Sequence, residues 1–336
     1  MAHELTITRT GRAEMAYVGQ TPWHGLGQQL VRGASIEDWC IAAGMDWEIM
    51  RTPILFDVER VLPSHNGSGI IIAPCTETWS QREVLYRSDS KAPLNTVSNI
   101  YSIVQPRQVL EFFRDLVAEH GFELETAGTL RGGKRFWALA RTNLDSEIVD
   151  GDTVRTYLLL VSSCDSGLAT DAMFTSVRVV CNNTLQMAYG NAGKTVSVRH
   201  NTEFNPNSVK MELGLNADEV YGNFVSRMRR FANTSLTGVQ AEEIIETMFG
   251  NLGRTGRDGD IRKTKGFVKV MDLFNGAGTG ARIDGVAGTG WGLINAVTEY
   301  ADFHVRARDQ EFRLNSSWFG AGRDMKNTIL EILEEA

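Results

Sequence analysis

Positive charge placed beside an aromatic ring is the chemistry this sequence offers most often, and it offers it in two places. The stretch Arg131-Gly132-Gly133-Lys134 reads as the turn of a hairpin running from Phe122–Leu130 into Arg135–Arg141. Side chains alternate along a strand, so Arg135, Trp137, Leu139 and Arg141 share one face, and Phe136, Ala138 and Ala140 share the other. Arg131, Lys134 and Arg135 crowd the hairpin tip, while Arg178 and Arg199 belong to further strands. A sheet presenting guanidinium groups with an indole such as Trp137 can follow a phosphate backbone and stack a base. The same residues also suit a sheet face kept soluble by charge. The second place is segment 254–269, where Arg254, Arg257, Arg262, Lys263, Lys265 and Lys269 face only Asp258 and Asp260. Phosphate binding there would fall steeply with salt, although a solvated helix face would carry the same side chains.

Acid–base or metal chemistry has one candidate. Asn295, Glu299 and Asp302 recur at helical spacing, with Tyr300 between them and His304 two residues on. Such a face could hold a metal or exchange protons, which gives a competing reading as a metal-dependent enzyme. A hydrogen-bonded helix face would look the same. Other signals fall short. The six histidines form no His-x-x-x-His or His-x-Glu pattern, and His24 beside Trp23 suits a ring that ties down a loop. Gly190-Asn191-Ala192-Gly193-Lys194-Thr195 resembles a phosphate loop, but Ala188 stands where that loop needs glycine. Gly276-Ala277-Gly278-Thr279-Gly280 follows a helix rather than a strand, which excludes a dinucleotide fingerprint and leaves a mobile linker. No nucleophile elbow is present, and Cys181 reads as an inert core thiol. The expectation is therefore no catalytic residue, no metal and no cofactor.

The elements that must position these residues follow from pattern. The chain has 336 residues, 42% of them hydrophobic and 22% charged, enough to bury a sizeable core. Its net charge of −7 confines any nucleic-acid surface to a local patch. Four scattered cysteines suggest reduced thiols, and the lack of an apolar run or leader suggests a cytoplasmic protein that avoids membranes. Ser35 caps a short helix containing Ile36, Trp39, Cys40 and Ala43. Strands are expected over Trp47–Phe56 and Arg82–Arg87, with a turn at Asn66–Gly69. A helix opens at Pro106 with Val109, Leu110, Phe113 and Leu116 on one stripe. Strands recur at Thr153–Ser162, Met173–Val180 and Thr195–His200, and Asn183 with Gln186 predicts a capped helix from Thr184. After Pro206 the pattern is helical near 208–233, 239–250, 262–274, 288–303 and 323–335. The expected fold class is α+β: a central, mostly antiparallel sheet with packed helices over 1–205, then a helical C-terminal half over 206–336.

Several phrases together resemble one family. They are Thr21–Gly27, Tyr101–Gln105, Arg178–Leu185 (RVVCNNTL), Arg199-His200-Asn201-Thr202 and Asn295–Tyr300 (NAVTEY). The chain is similar to the phage/plasmid-like family built on domain of unknown function 932. Where that resemblance leads one to expect an adjacent Asp-His pair, this chain has Asp302-Phe303-His304. The resemblance implies a phage or mobile-element setting. The order of the central strands is similar at fold level to phage single-strand annealing proteins, which form rings or filaments and hold single-stranded DNA without catalytic residues. It implies a homo-oligomer that binds single-stranded DNA through Arg131, Lys134, Arg135, Trp137, Arg178, Arg199, Arg262, Lys263, Lys265 and Lys269. An inhibitor that binds a host protein is the third reading, favoured by the acidic charge.

Overall fold

The computed structural model describes residues 5–19, 26–63, 70–178, 184–186, 195–213, 217–254, 256, 259–306, 316–317 and 320–335. Trp23, His24, the Asn66–Gly69 turn, Cys181, Asn183, Gly190–Lys194 and Arg257 lie outside these residues, as does the side chain of Arg178.

Two sheets form. The larger contains β1 (Met15–Val18), β2 (Gln28–Leu30), β6 (Glu123–Leu130), β7 (Arg135–Val149), β8 (Asp152–Ser163), β9 (Thr170–Arg178), β10 (Thr184–Gln186) and β11 (Val196–Val198). Its order is β10-β9-β8-β7-β6-β1-β2, with β11 also on β9; only β1 and β2 run parallel. The smaller sheet is a long hairpin, β3 (Ile49–Pro63) and β4 (Ile70–Arg87), with β5 (Pro93–Ser98) along the base of β4.

The β6–β7 hairpin forms as its turn chemistry predicts. Arg131, Gly132 and Gly133 all take positive φ, and Leu130 then pairs with Arg135. At Gly133 a side chain would strike Trp47 and Arg87, so the turn depends on glycine there. The strands β7, β8 and β9 are apolar at both parities. Phe136, Ala138, Leu158, Leu160 and Phe174 join the main core, whereas Trp137, Leu139, Leu159, Val161 and Met173 form a second cluster with Leu5 and Met15. A strand that is apolar on both faces is buried on both. The central sheet accordingly has cover on each side.

Helices α1 (Ile36–Ala42), α2 (Pro106–Glu111), α3 (Arg114–His120), α4 (Pro206–Glu212), α5 (Ala217–Ala232), α6 (Gly238–Asn251), α7 (Lys265–Asp272), α8 (Gly290–Glu299) and α9 (Ala321–Glu335) complete the molecule. Ser35 caps α1 in a reciprocal box with Asp38, as expected. All ten residues of α8 are buried, which makes it the central post of the helical layer.

The structure departs from the sequence pattern in several elements. The helix expected from Pro106 is two helices, α2 and α3, broken at Phe112-Phe113. Both rings are fully buried and meet edge to face at 5.1 Å, whereas a continuous helix would aim neighbours about 100° apart. The capped helix expected from Thr184 is the strand β10, because pairing with Thr175–Val177 outweighs a local capping signal. The C-terminal half is helical only in part. Between α6 and α8 lie a 3₁₀ turn at Ile261–Lys263, a π-helical turn at Leu273–Ala277 and a run of tight turns to Thr289.

A buried ion pair joins the two sheets. Arg87 of β4 donates to Glu14 at 2.7 and 3.0 Å, packs its guanidinium over Trp47 at 4.1 Å, and also holds Asp89. Thr129 donates to the same Glu14 carboxylate. Arg87 holds the Asp89 carboxyl down at about 2.

Candidate nucleic-acid interface

The expected hairpin-tip cluster is present, but its members differ in what they can reach. Arg135 is buried at 7% exposure and donates to Asp165 at 2.9 Å, and Arg131 stands 3.5 Å from the same carboxylate. Burial alone would raise the Asp165 carboxyl, but the Gly167 N–H and the Arg135 guanidinium outweigh it and hold it below the ordinary carboxylate range. Trp137 is 3% exposed, within the second core cluster, with its indole N–H 3.4 Å from Thr126 Oγ1. Trp137 and Leu139 share a face as the alternation predicts, but that face is covered by the second core cluster and does not meet solvent. Arg135 holds a turn in place, and Trp137 has no ring face open to a base.

That turn, Cys164–Ala169, connects the hairpin tip to a different site. The Cys164 N–H donates to the Lys134 carbonyl at 2.8 Å, and Ser166 takes a left-handed φ of 60°. Ser166 accepts from Asn95 of β5 at 3.0 Å. Beyond it opens a groove of about 380 Å³, lined by Ser166, Leu168, Ile100, Tyr101, Arg199 and His200. Tyr101 and His200 stack at 4.7 Å between ring centres, 15° from parallel. The Ser102 N–H donates to the His200 carbonyl at 2.5 Å, and His200 Nδ1 donates to the Ser102 carbonyl at 3.2 Å. Tyr101 donates its hydroxyl to the Ser163 carbonyl at 2.9 Å.

Electrostatically the groove is mixed, with Arg199 at its edge and the Asp165 and Asp171 carboxylates acting on His200. Arg199 is exposed, and Lys134 is half-buried behind the turn. Burial pushes the His200 imidazole below its ordinary value, against the opposing pull of the Ser102 and Leu168 carbonyls. It is therefore neutral at pH 7, a flat polar ring. Burial also raises the Tyr101 hydroxyl, which stays protonated. Protonated phenol, neutral imidazole and an exposed guanidinium can stack a planar group and hold an anion; none of them is arranged as a nucleophile with its base.

The C-terminal basic segment is more neutralised than its composition implies. Arg262 donates to Glu246 at 2.8 Å and Glu242 at 3.2 Å, both on α6, and Lys263 pairs with Asp260 at 3.0 Å. Lys265 is exposed and Lys269 half-buried, on a helix that packs against α6 and α8.

The polar face of α8 is engaged in hydrogen bonds and ion pairs. Asn295 and Thr298 return their side chains to the carbonyls of Trp291 and Ile294. Glu299 accepts the Thr279 N–H at 2.9 Å and stands 3.6 Å from His304 Nε2, which ties down the glycine-rich turn expected to be a mobile linker. Asp302 pairs at 2.5 Å with Lys326 of α9, and Ser317 donates its hydroxyl to that carboxylate while accepting from the Lys326 ammonium at 2.9 Å. Lys326 is fully buried, and burial drives its ammonium below the ordinary lysine range although Asp302 opposes this. Among the described residues no group of three or more His, Cys, Asp or Glu side chains could hold a metal.

Pattern reading missed Tyr101 and His200 as partners. Both stood in phrases that carried the family resemblance, yet nothing local joins positions so far apart. The structure defines an α+β protein in which two distant chain segments meet beside a basic hairpin tip. The family model described as domain of unknown function (DUF932) matches residues 93–318, well over half of the chain, and includes both segments. The chain belongs to that family. No curated protein and no solved structure matches it. Among the described residues no helix is long and apolar enough to cross a membrane.

Proposed function

We propose that this chain is a non-catalytic, single-stranded nucleic-acid binding or annealing protein of a phage or mobile element, acting as a homo-oligomer. The observation that carries the reading is the stacked Tyr101–His200 pair beside exposed Arg199 in an open groove. Aromatic faces bind bases of any sequence, and guanidinium groups hold the backbone between them. Arg199 and Lys134 supply the backbone contacts, with Arg131 joining when phosphate competes with Asp165. Lys265 and Lys269 extend the track on the helical layer. Arg262 and Lys263 contribute less, since acidic neighbours already hold them.

Fluorescence anisotropy with labelled oligonucleotides tests this reading. Single strands are expected to bind more tightly than duplex, with affinity falling as salt rises. Arg199→Ala combined with Lys134→Ala should weaken binding about tenfold and flatten the salt slope by ~1–2 contacts. No binding at low salt, where attraction is least screened, overturns the proposal.

A further inference from the structure

The long hairpin reaches well beyond the strand that supports it. Among the described residues, β5 pairs with Arg82–Tyr86 alone, and past the bulge at Pro53/Ile54 the strands β3 and β4 pair only with each other. An isolated two-stranded ribbon is marginal in water. Register and alternation place Ile54 with Trp79, Phe56 with Glu77, Val58 with Cys75 and Arg60 with Ala73 on one face. Phe56 and Trp79 are each 47% exposed, an unusual exposure for rings on a shared face. The only charges of this face, Arg60 and Glu77, pair with each other. The opposite face also exposes Leu55, Val61, Ile70 and Ile72, but it interleaves them with Asp57, Glu59, Thr76 and Thr78 and carries no aromatic ring.

We infer that the distal half of this hairpin is a self-association arm, whose Phe56/Val58/Trp79 face packs on the same face of a second copy. Three features select a second copy as the occupant. An apolar sheet face is best covered by another of the same length and spacing, and the ribbon presents one. Its charge is self-complementary. A two-fold axis through the Val58–Cys75 row, along the pairing direction, reverses one ribbon over the other and brings Arg60 of each copy beside Glu77 of its partner. The footprint also suffices. Some 8–10 residues per strand at about 3.3 Å each give a ribbon of about 30 Å, which would bury on the order of 1,000 Å² in total, near the lower bound for a specific interface. The inference rests on the oligomer part of the proposed function and not on nucleic-acid binding.

The same axis brings Cys75 of one copy opposite Cys75 of the other, which supplies a direct test. Cys75 is half-buried and unpaired, whereas Cys40 and Cys164 are buried. Treated with a short bifunctional maleimide, the full-length chain should form a covalent dimer that is lost in Cys75→Ser. Sedimentation of the untreated chain should show a concentration-dependent dimer, weakened at least tenfold by Phe56→Asp with Trp79→Asp at unchanged circular dichroism. Arg60→Glu and Glu77→Arg should each weaken it, and the two together should restore it; these charge swaps stand as the test if the aromatic variant fails to fold. A chain that stays monomeric at high concentration overturns the arm. So does an oligomer that ignores both sets of variants and cross-links elsewhere. Either result leaves the anisotropy test of nucleic-acid binding standing on its own.

Discussion

Tyr101 and His200 set the chemistry of the groove at the scale of single residues, and each allows a measurement. Replacing Tyr101 with Leu removes a stacking surface, and an expected ~1–3 kcal/mol of oligonucleotide affinity goes with it. Tyr101→Phe keeps the ring and should retain most of that affinity, with a stability loss from the Ser163 carbonyl left without its donor. The His200 ring is held neutral by burial, so its folded pKa lies below the ordinary 6.5. As pH falls below 6.5 the unfolded chain takes up this proton first. The stability His200 contributes is thus present above that value and is lost as pH drops through the lower, folded pKa. Urea unfolding followed between pH 7 and pH 5 should show this decline, and His200→Asn should flatten it. The buried thiols Cys164, pushed up to about 12, and Cys40, pushed up to about 11, should resist alkylation at neutral pH more than Cys75 does.

Among the elements, α9 is fastened to the end of α8 by one buried ion pair. Asp302→Ala leaves the Lys326 ammonium without its countercharge in a dry interior and should cost about 3–5 kcal/mol in urea unfolding. Adding Lys326→Met should recover much of that loss, because a methionine fits the same slot uncharged. Element-level reading of the sequence was strongest where local chemistry and tertiary need agreed. The glycine turn of β6–β7 and the Ser35 box formed as read because both signals are short-range. Thr184–Gln186 shows the opposite case: a good capping signal lost to the open edge of β9, which no window of sequence displays. Trp137 shows a third. Its face was assigned correctly, but the cover over that face comes from Leu5, Met15 and Leu26, more than a hundred residues away. The short strands β1 and β2 were illegible for the same reason, since they exist only by pairing with β6 and with each other.

At the scale of the whole molecule, one buried cluster runs from Ala16 through the sheet to Leu333 on α9. The strand-rich and helix-rich parts therefore share their interior, and thermal unfolding should be a single transition in which near- and far-ultraviolet signals coincide. The net charge of −7 also shapes how the chain meets a polyanion. Long-range repulsion opposes the encounter while the local groove attracts, so association should be slow at low salt, and affinity should still fall with salt through released counterions. The groove has a further consequence in time. Its two halves, at Tyr101 and His200, lie about a hundred residues apart and flank the hairpins β6–β7 and β8–β9, which are built from neighbours in the chain. Local hairpins form early during synthesis and distant closures late. A chain still emerging from the ribosome thus carries a folded sheet with an unmade groove, and it acquires a place to hold a ligand only after residue 200 has cleared the exit.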